Sequence, residues 1–154
     1  MVTPTATHTT HTVSTRAIEY EADGRTMIGT LAVPEGSGRV PGVLVCHEGP
    51  GLDDHARDVA ARLAGDLGYV AFALDYHGDG KPLADRDEMM GRIGEFREDL
   101  ARVRGIGTAG LDVLVAEPRT DPDRLAAIGF CFGGTLSLEA GDFSAVARKS
   151  APSS

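Results

Sequence analysis

The stretch Gly129-Phe130-Cys131-Phe132-Gly133 puts a thiol between two glycines, directly after the apolar run Leu125–Gly129 and before a segment of helical character. A strand that turns sharply into a helix holds its central residue in a strained conformation. The glycines flanking that residue leave room where a β-carbon would clash. Such a turn lifts the side chain to the C-terminal edge of a sheet and sets it at a helix N-terminus, where unpaired N–H groups and the helix dipole favour an anion. A thiolate there is stabilised and accessible, which nucleophilic catalysis requires. The competing reading of Cys131 is a buried structural cysteine, and the five-residue pattern alone does not separate the two. The spacing does not fit the G-x-G-x-x-G of a dinucleotide loop.

A second chemical stretch, His47-Glu48-Gly49-Pro50-Gly51, ends another apolar run. In a nucleophile-elbow hydrolase the oxyanion hole combines the N–H after the nucleophile with one from the loop after this earlier strand. The donors expected here are the backbone amides of Phe132 and Gly49. His47 is a poor general base, because the order in that architecture is nucleophile, acid, histidine. His55 falls on the following helix and reads as surface. His77 lies in a loop after the fourth strand, where it lines the expected cleft. Cys46 reads as core, and a redox couple of Cys46 with Cys131 has no Cys-x-x-Cys spacing to support it.

These residues need elements to position them. Arg16–Ala22 and Thr26–Val33 flank the turn signal Asp23-Gly24 and predict a hairpin. The wholly apolar Val43–Cys46 predicts a strand buried on both faces, hence a parallel sheet. Ala56, Val59, Ala60, Leu63 and Leu67 recur at helical spacing behind Asp53 or Asp54 as N-cap, and Gly68 ends that helix. The run from Tyr69 to Asp75 is a fourth strand. Met89, Ile93, Phe96, Leu100 and Val103 form one helical stripe. Gly105, Gly107 and Gly110 predict a break before a short helix over Leu111–Ala116, which Pro118 stops. Arg119–Arg124 reads as a turn, Leu125–Phe130 as a buried strand, and Gly133–Ala140 as a helix. The order β-β-β-α-β-α-α-β-α is that of an α/β fold with a helix-covered parallel sheet.

Composition narrows the class. The 154 residues suit one domain, and the net charge of −8 argues against a nucleic-acid surface. Two cysteines make no disulfide framework, which points to a reducing, cytoplasmic setting. No stretch has the signal-peptide pattern or the length to span a membrane. The threonine-rich residues 1–15, with His8 and His11, read as a disordered leader rather than a metal site. No metal or cofactor is expected.

The runs "LAVPEGSGRVPGVLVCHEGPGLDDHARDVAARLAGDLGYVAFALDYHG" and "DPDRLAAIGFCFGGTLSLE" resemble the dienelactone hydrolase family of the α/β-hydrolase superfamily. The resemblance runs from about Ile18 to Glu139, and its most specific parts are His47-Glu48 and the cysteine elbow. It implies a three-layer α/β-hydrolase-type sheet and a hydrolase of esters or lactones, such as a carboxymethylenebutenolide, without cofactor. By resemblance Cys131 is the nucleophile and Glu48 the carboxylate that contacts the resting thiol and disfavours its ionisation. An arginine after the fourth strand that binds a substrate carboxylate is also implied; Arg86 or Arg92 fits, though surface solvation is the ordinary reading of both. The resemblance fades after Glu139, leaving a domain over residues 16–140 and a divergent tail over 141–154. No histidine follows Cys131, and Glu139 and Asp142 come too soon to be the triad acid. The expectation is an incomplete sheet lacking the strands after the elbow, impaired catalysis, and an elbow strand left as an open edge prone to self-association. The alternative is an inactive fragment or binding module acting through that edge.

Overall fold

The computed structural model describes residues 10–47 and 49–129. Five strands and three helices follow in the order β1 (Val13–Ala22), β2 (Arg25–Pro34), β3 (Val40–Cys46), α1 (Asp54–Leu67), β4 (Val70–Ala73), α2 (Arg86–Glu98), α3 (Leu100–Ala116) and β5 (Thr120–Gly129). The strands form one sheet in the order β1-β2-β4-β3-β5. β3 pairs parallel with both β4 and β5, while the β1–β2 hairpin joins antiparallel through β2.

The hairpin turns on Asp23 (φ 54°) and Gly24 (φ 65°). Both central residues are left-handed, as a two-residue turn matched to strand twist requires. β1 opens at Val13, inside the segment 1–15 expected to be leader, because Val13 pairs with Pro34 and packs with the α1 side of the sheet. His11 is tied as well: its N–H donates to the Gly65 carbonyl at 2.7 Å.

Alternation along the central strands divides two apolar layers. Val43, Val45, Ala71 and Ala73 face α1, and Leu44, Cys46, Val70 and Phe72 face α2 and α3. Both faces are therefore buried, which is why these strands read as continuous apolar runs. The buried stripe of α1 is Ala56, Ala60 and Ala64, not the larger residues of the periodic pattern, and Leu67 is 56% exposed. Alanines on the helix meet Ala32, Ala71 and Ala73 on the sheet, so small residues on both sides allow close approach. Asp53 caps α1, accepting from the Ala56 N–H, and Gly68 ends it at φ 71°.

The helix break falls at Asp99, not at the glycines. Asp99 closes α2 and its carboxylate accepts from the Arg102 N–H at the start of α3. α3 then runs unbroken through Gly105, Gly107 and Gly110. Glycine costs about 1 kcal/mol relative to alanine in a helix, and contact with the sheet offsets it. A β-carbon on Gly110 would lie 3.2 Å from Leu74 Cβ and 3.3 Å from Leu44 Cδ1, whereas one on exposed Gly105 would meet nothing within 4 Å. Gly105→Ala is therefore expected to stabilise the fold by about 0.5–1 kcal/mol. Gly110→Ala is expected to destabilise it by about 1 kcal/mol through overpacking. Urea midpoints moving in the same direction for both would contradict this packing.

β5 corrects two expectations. It starts at Thr120, so the segment read as a turn belongs to the strand, and the turn signal appears as a register shift. Asp121 lies opposite Pro41 and Leu125 opposite Gly42, leaving the residues between them outside the ladder. Asp121 closes this bulge by accepting from the Asp123 N–H and from Arg124 Nε. The apolar end of β5 is only half-buried, and Ala126 is exposed. The cause is position: among the described residues β3 is the sole strand beside it. The helix expected over Gly133–Ala140 and the tail over 141–154 lie outside the described residues.

Candidate active site

Parallel pairing brings the C-terminal ends of three strands to one edge. Val45 is the partner of both Ala73 and Ile128, and Cys46 is opposite Gly129. The loops carrying Gly49 and His77 leave from this edge. The expected elbow residues Cys131, Phe132 and Gly133, like Glu48, lie outside the described residues. Gly129, the first elbow glycine, is the last described residue of β5 and is half-buried.

Asp75 organises the loop after β4. Its fully buried carboxylate accepts from the N–H groups of His77, Gly78 and Gly80 and from Ile28 on β2, at 2.8–3.1 Å. Consecutive positive φ values at Gly78, Asp79 and Gly80 curl the chain around it. Tyr20 braces the same point, donating to the Asp75 carbonyl and accepting from its N–H; burial raises the Tyr20 pKa, so its hydroxyl keeps its proton.

The two residues after Asp75 hold the loop after β3. The Tyr76 hydroxyl donates to the His47 carbonyl, its N–H donates to His47 Nε2, and the two rings stack. His77 Nε2 lies 2.7 Å from the Gly49 carbonyl, while its Nδ1 accepts from Arg92 Nε at 3.0 Å. A guanidinium has no acceptor, so Nδ1 carries no proton and the Nε2–H donates to Gly49. Burial, with Arg92 and Arg25 nearby, lowers the His77 pKa, against the Gly49 hydrogen bond and Asp75, which raise it.

Arg92 is itself buried. It donates to the Tyr76 carbonyl and pairs with Asp23 at 3.7 Å. Asp23 also receives a two-point contact from Arg102, at 2.7 and 2.8 Å, which is the main reason its pKa is lowered. Further along the β3 loop, Pro50 O accepts from the Leu83 N–H. Gly51 (φ 131°) has no room for a β-carbon, which would lie 2.8 Å from Pro82 Cα.

The structure thus separates the candidate residues into groups of different role. Gly49 is buried against α2, where an added β-carbon would lie 2.9 Å from Ile93 Cδ1. Arg86, the first residue of α2, is exposed. Arg92 corrects an expectation: it is a buried internal partner rather than a solvated or substrate-facing cation, because Asp23, Tyr76 and His77 all satisfy it. His77 is likewise not an open cleft residue, since both ring nitrogens are engaged. His55 is exposed and Cys46 lies in the core, as expected. Sequence reasoning missed Asp75, Tyr76 and the Arg92–Asp23–Arg102 cluster. An acid followed by glycines after an apolar strand is a turn signal that pointed toward Asp75; nothing local marks Arg92 as the partner of His77 and Asp23.

Among the described residues no group of three or more His, Cys, Asp or Glu is placed to hold a metal, and no helix is long and apolar enough to cross a membrane. Two grooves on the described surface are lined by none of these candidate residues. One, of about 360 Å³, runs beside Ser14, Arg16, Glu35 and Arg119, and another, of about 390 Å³, beside Val59, Leu63 and Leu67.

The family model described as "Dienelactone hydrolase family" matches residues 27–149. The chain is 35% identical over 126 residues to "Protein usf" of Aquifex pyrophilus, covering 79% of this chain and 52% of that protein. It is 32% identical to the "Putative carboxymethylenebutenolidase" of Aquifex aeolicus, with the same coverage. Among solved structures, "m3DLH" superposes with a TM-score of 0.79 at 46% identity, covering 83% of this chain and 53% of that one. A dienelactone hydrolase-like promiscuous phosphotriesterase, P91, from metagenomic libraries superposes at 0.78 and 41% identity, covering 83% of this chain and 53% of its own. The chain spans about half the length of the curated relatives it matches.

Proposed function

Because this chain belongs to the dienelactone hydrolase family, we propose that it carries an acyl-transfer site for small esters or lactones with Cys131 as nucleophile. The observation that supports this reading is the in-register pairing of Cys46 with Gly129. Cys131 follows Gly129 by two residues and Gly49 follows Cys46 by three. At about 3.5 Å per residue, neither chain can travel far from that common edge. The thiolate of Cys131 attacks the substrate carbonyl carbon, and the π electrons move to oxygen. The N–H groups of Phe132 and Gly49 stabilise that oxyanion. The thiol's proton passes to water on ionisation; collapse expels the alkoxide, which takes a proton from water, and leaves a thioester that water cleaves to the acid and the free thiol. Glu48 keeps the resting thiol protonated by charge repulsion. Exposed Arg86 offers its guanidinium to an anionic group on the substrate, and His77 shapes the loop. The chemistry draws on no metal or cofactor and suits a reducing, cytoplasmic setting. Water is a weaker nucleophile than the thiolate that forms the thioester, so acylation outpaces thioester hydrolysis.

A 4-nitrophenyl ester tests this. We expect a burst of nitrophenolate, slow turnover, and the acyl group on Cys131 in peptide maps. Cys131→Ala abolishes the burst, Cys46→Ala retains it, and Glu48→Gln accelerates it. Equal, slow labelling of both cysteines would remove the nucleophile. A second reading, self-association, is favoured by the β5 edge, whose sole described strand neighbour is β3. Sedimentation of the same samples at rising concentration decides it: a constant monomeric mass excludes this role.

A further inference from the structure

We propose that Tyr76 and His77 position the Gly49 N–H by holding the His47 and Gly49 carbonyls, which belong to the peptides before and after the one that carries it, and that Arg92 sets the His77 tautomer this requires. The inference deepens the reading of Gly49 as an oxyanion donor and rests on it for its catalytic meaning. Its geometry stands on bonds already described. Along the chain, the Gly49 N–H falls between the His47 and Gly49 carbonyls. The first accepts from the Tyr76 hydroxyl and the second from His77 Nε2, at 2.7 Å.

Fixing the carbonyls on both sides limits rotation of the peptide between them. An oxyanion donor needs that property, because a preorganised dipole does not reorient during reaction. The two holding residues are adjacent in the loop after β4, which the Asp75 carboxylate fixes through the His77, Gly78 and Gly80 N–H groups. The imidazole can donate to Gly49 only with its proton on Nε2. Arg92 Nε, 3.0 Å from Nδ1, enforces that state, and Asp23 anchors Arg92 from the hairpin turn. The charged groups around the ring are Arg92 from α2, Arg25, which donates to the His77 carbonyl from the start of β2, and Asp75 within its own loop. None of these residues has to touch substrate; they are positioning residues.

The pH behaviour follows from the direction of the His77 shift. Its folded pKa lies below the ordinary 6.5, so the neutral ring is favoured by folding. That contribution is complete above about pH 6.5. It declines as pH falls below the unfolded-state value and is gone below the folded one.

The experiment is NMR on the full chain carrying ¹⁵N-labelled histidine and glycine. We expect His77 as the Nε2–H tautomer at neutral pH, remaining neutral below 6.5, with a single sharp Gly49 amide resonance over the same range. His77→Ala should broaden or shift that amide and slow Cys131 acylation by about tenfold, a fraction of the loss for a missing oxyanion donor. His77→Gln, whose amide N–H can reach the Gly49 carbonyl, should restore both. Arg92→Ala, a second route if His77→Ala folds poorly, should raise the His77 pKa toward its ordinary value and mix its tautomers. A wild-type Nδ1–H tautomer, or a Gly49 amide indifferent to His77→Ala and Arg92→Ala, would overturn the proposal. If the wild-type chain forms no acyl-enzyme while the resonances behave as expected, the functional reading fails and the positioning geometry survives.

Discussion

Asp75→Asn lowers the unfolding free energy by about 3–5 kcal/mol and releases the loop that carries His77. The carboxylate uses both oxygens: Oδ1 accepts from the His77 and Gly78 N–H groups at 3.1 Å, and Oδ2 from Ile28 at 3.1 Å and Gly80 at 2.8 Å. An asparagine keeps one acceptor and replaces the other with an NH₂ group, which faces two N–H donors and can accept from neither. The site is fully buried, so each orphaned donor costs about 1–3 kcal/mol. The chain has little freedom to relax, because a β-carbon on Gly80 would already lie 2.8 Å from the Ile28 carbonyl. Urea unfolding measures the loss. Hydrogen exchange at Gly78 and Gly80 locates it, with protection lost there before the central strands. A variant within about 0.5 kcal/mol of the parent, with those amides still protected, would show that the carboxylate is not the organiser of the loop.

Gly29→Ala is expected to cost about 3 kcal/mol, the upper end of the overpacking range. Gly29 sits in β2 opposite Ile18, beside the pair Leu31–Phe72. A β-carbon there would approach Phe72 Cε2 at 2.6 Å and the Ala73 carbonyl at 2.8 Å. Phe72 cannot swing away freely: it is fully buried and meets Tyr20 edge-on, with ring centroids 5.6 Å apart. The effect should reach the site, since Tyr20 also braces Asp75. A double-mutant cycle with Phe72→Leu separates the two clashes. The smaller side chain should relieve only part of the cost, because the Ala73 carbonyl remains. Full rescue would mean that the ring alone excludes a side chain at Gly29.

Much of the architecture was legible because it depends on local rules. Asp23-Gly24 specifies a two-residue turn by its tolerance of positive φ, Asp53 and Gly68 bracket α1, and apolar runs mark the strands covered on both faces. The misplaced break between α2 and α3 shows where local rules fail. Glycine propensity weighs against a helix by about 1 kcal/mol per residue. Whether the helix survives depends on what lies across from each glycine, here Leu44 and Leu74. The same applies to Arg92: a lone arginine on a helix reads as solvated until the hairpin turn delivers Asp23 to it. The turn read over Arg119–Arg124 was a real chain irregularity, but only pairing with β3 made it a bulge inside a strand.

By itself, then, the sequence determined the alternation of strands and helices and the two glycine-bearing turns, around Gly49 and Gly129, that close apolar strands. Those follow from periodicity and turn chemistry, which act over a few residues. Only the tertiary structure decided that His77 and Arg92 face inward, that Asp75 ties its loop to β2, and that two neighbouring residues of that loop grip the His47 and Gly49 carbonyls. The contacts that decide this are distant in sequence, 15 positions for His77–Arg92, 29 for Tyr76–His47 and 55 for Tyr20–Asp75, and no local pattern encodes a distance that the folding of the sheet creates.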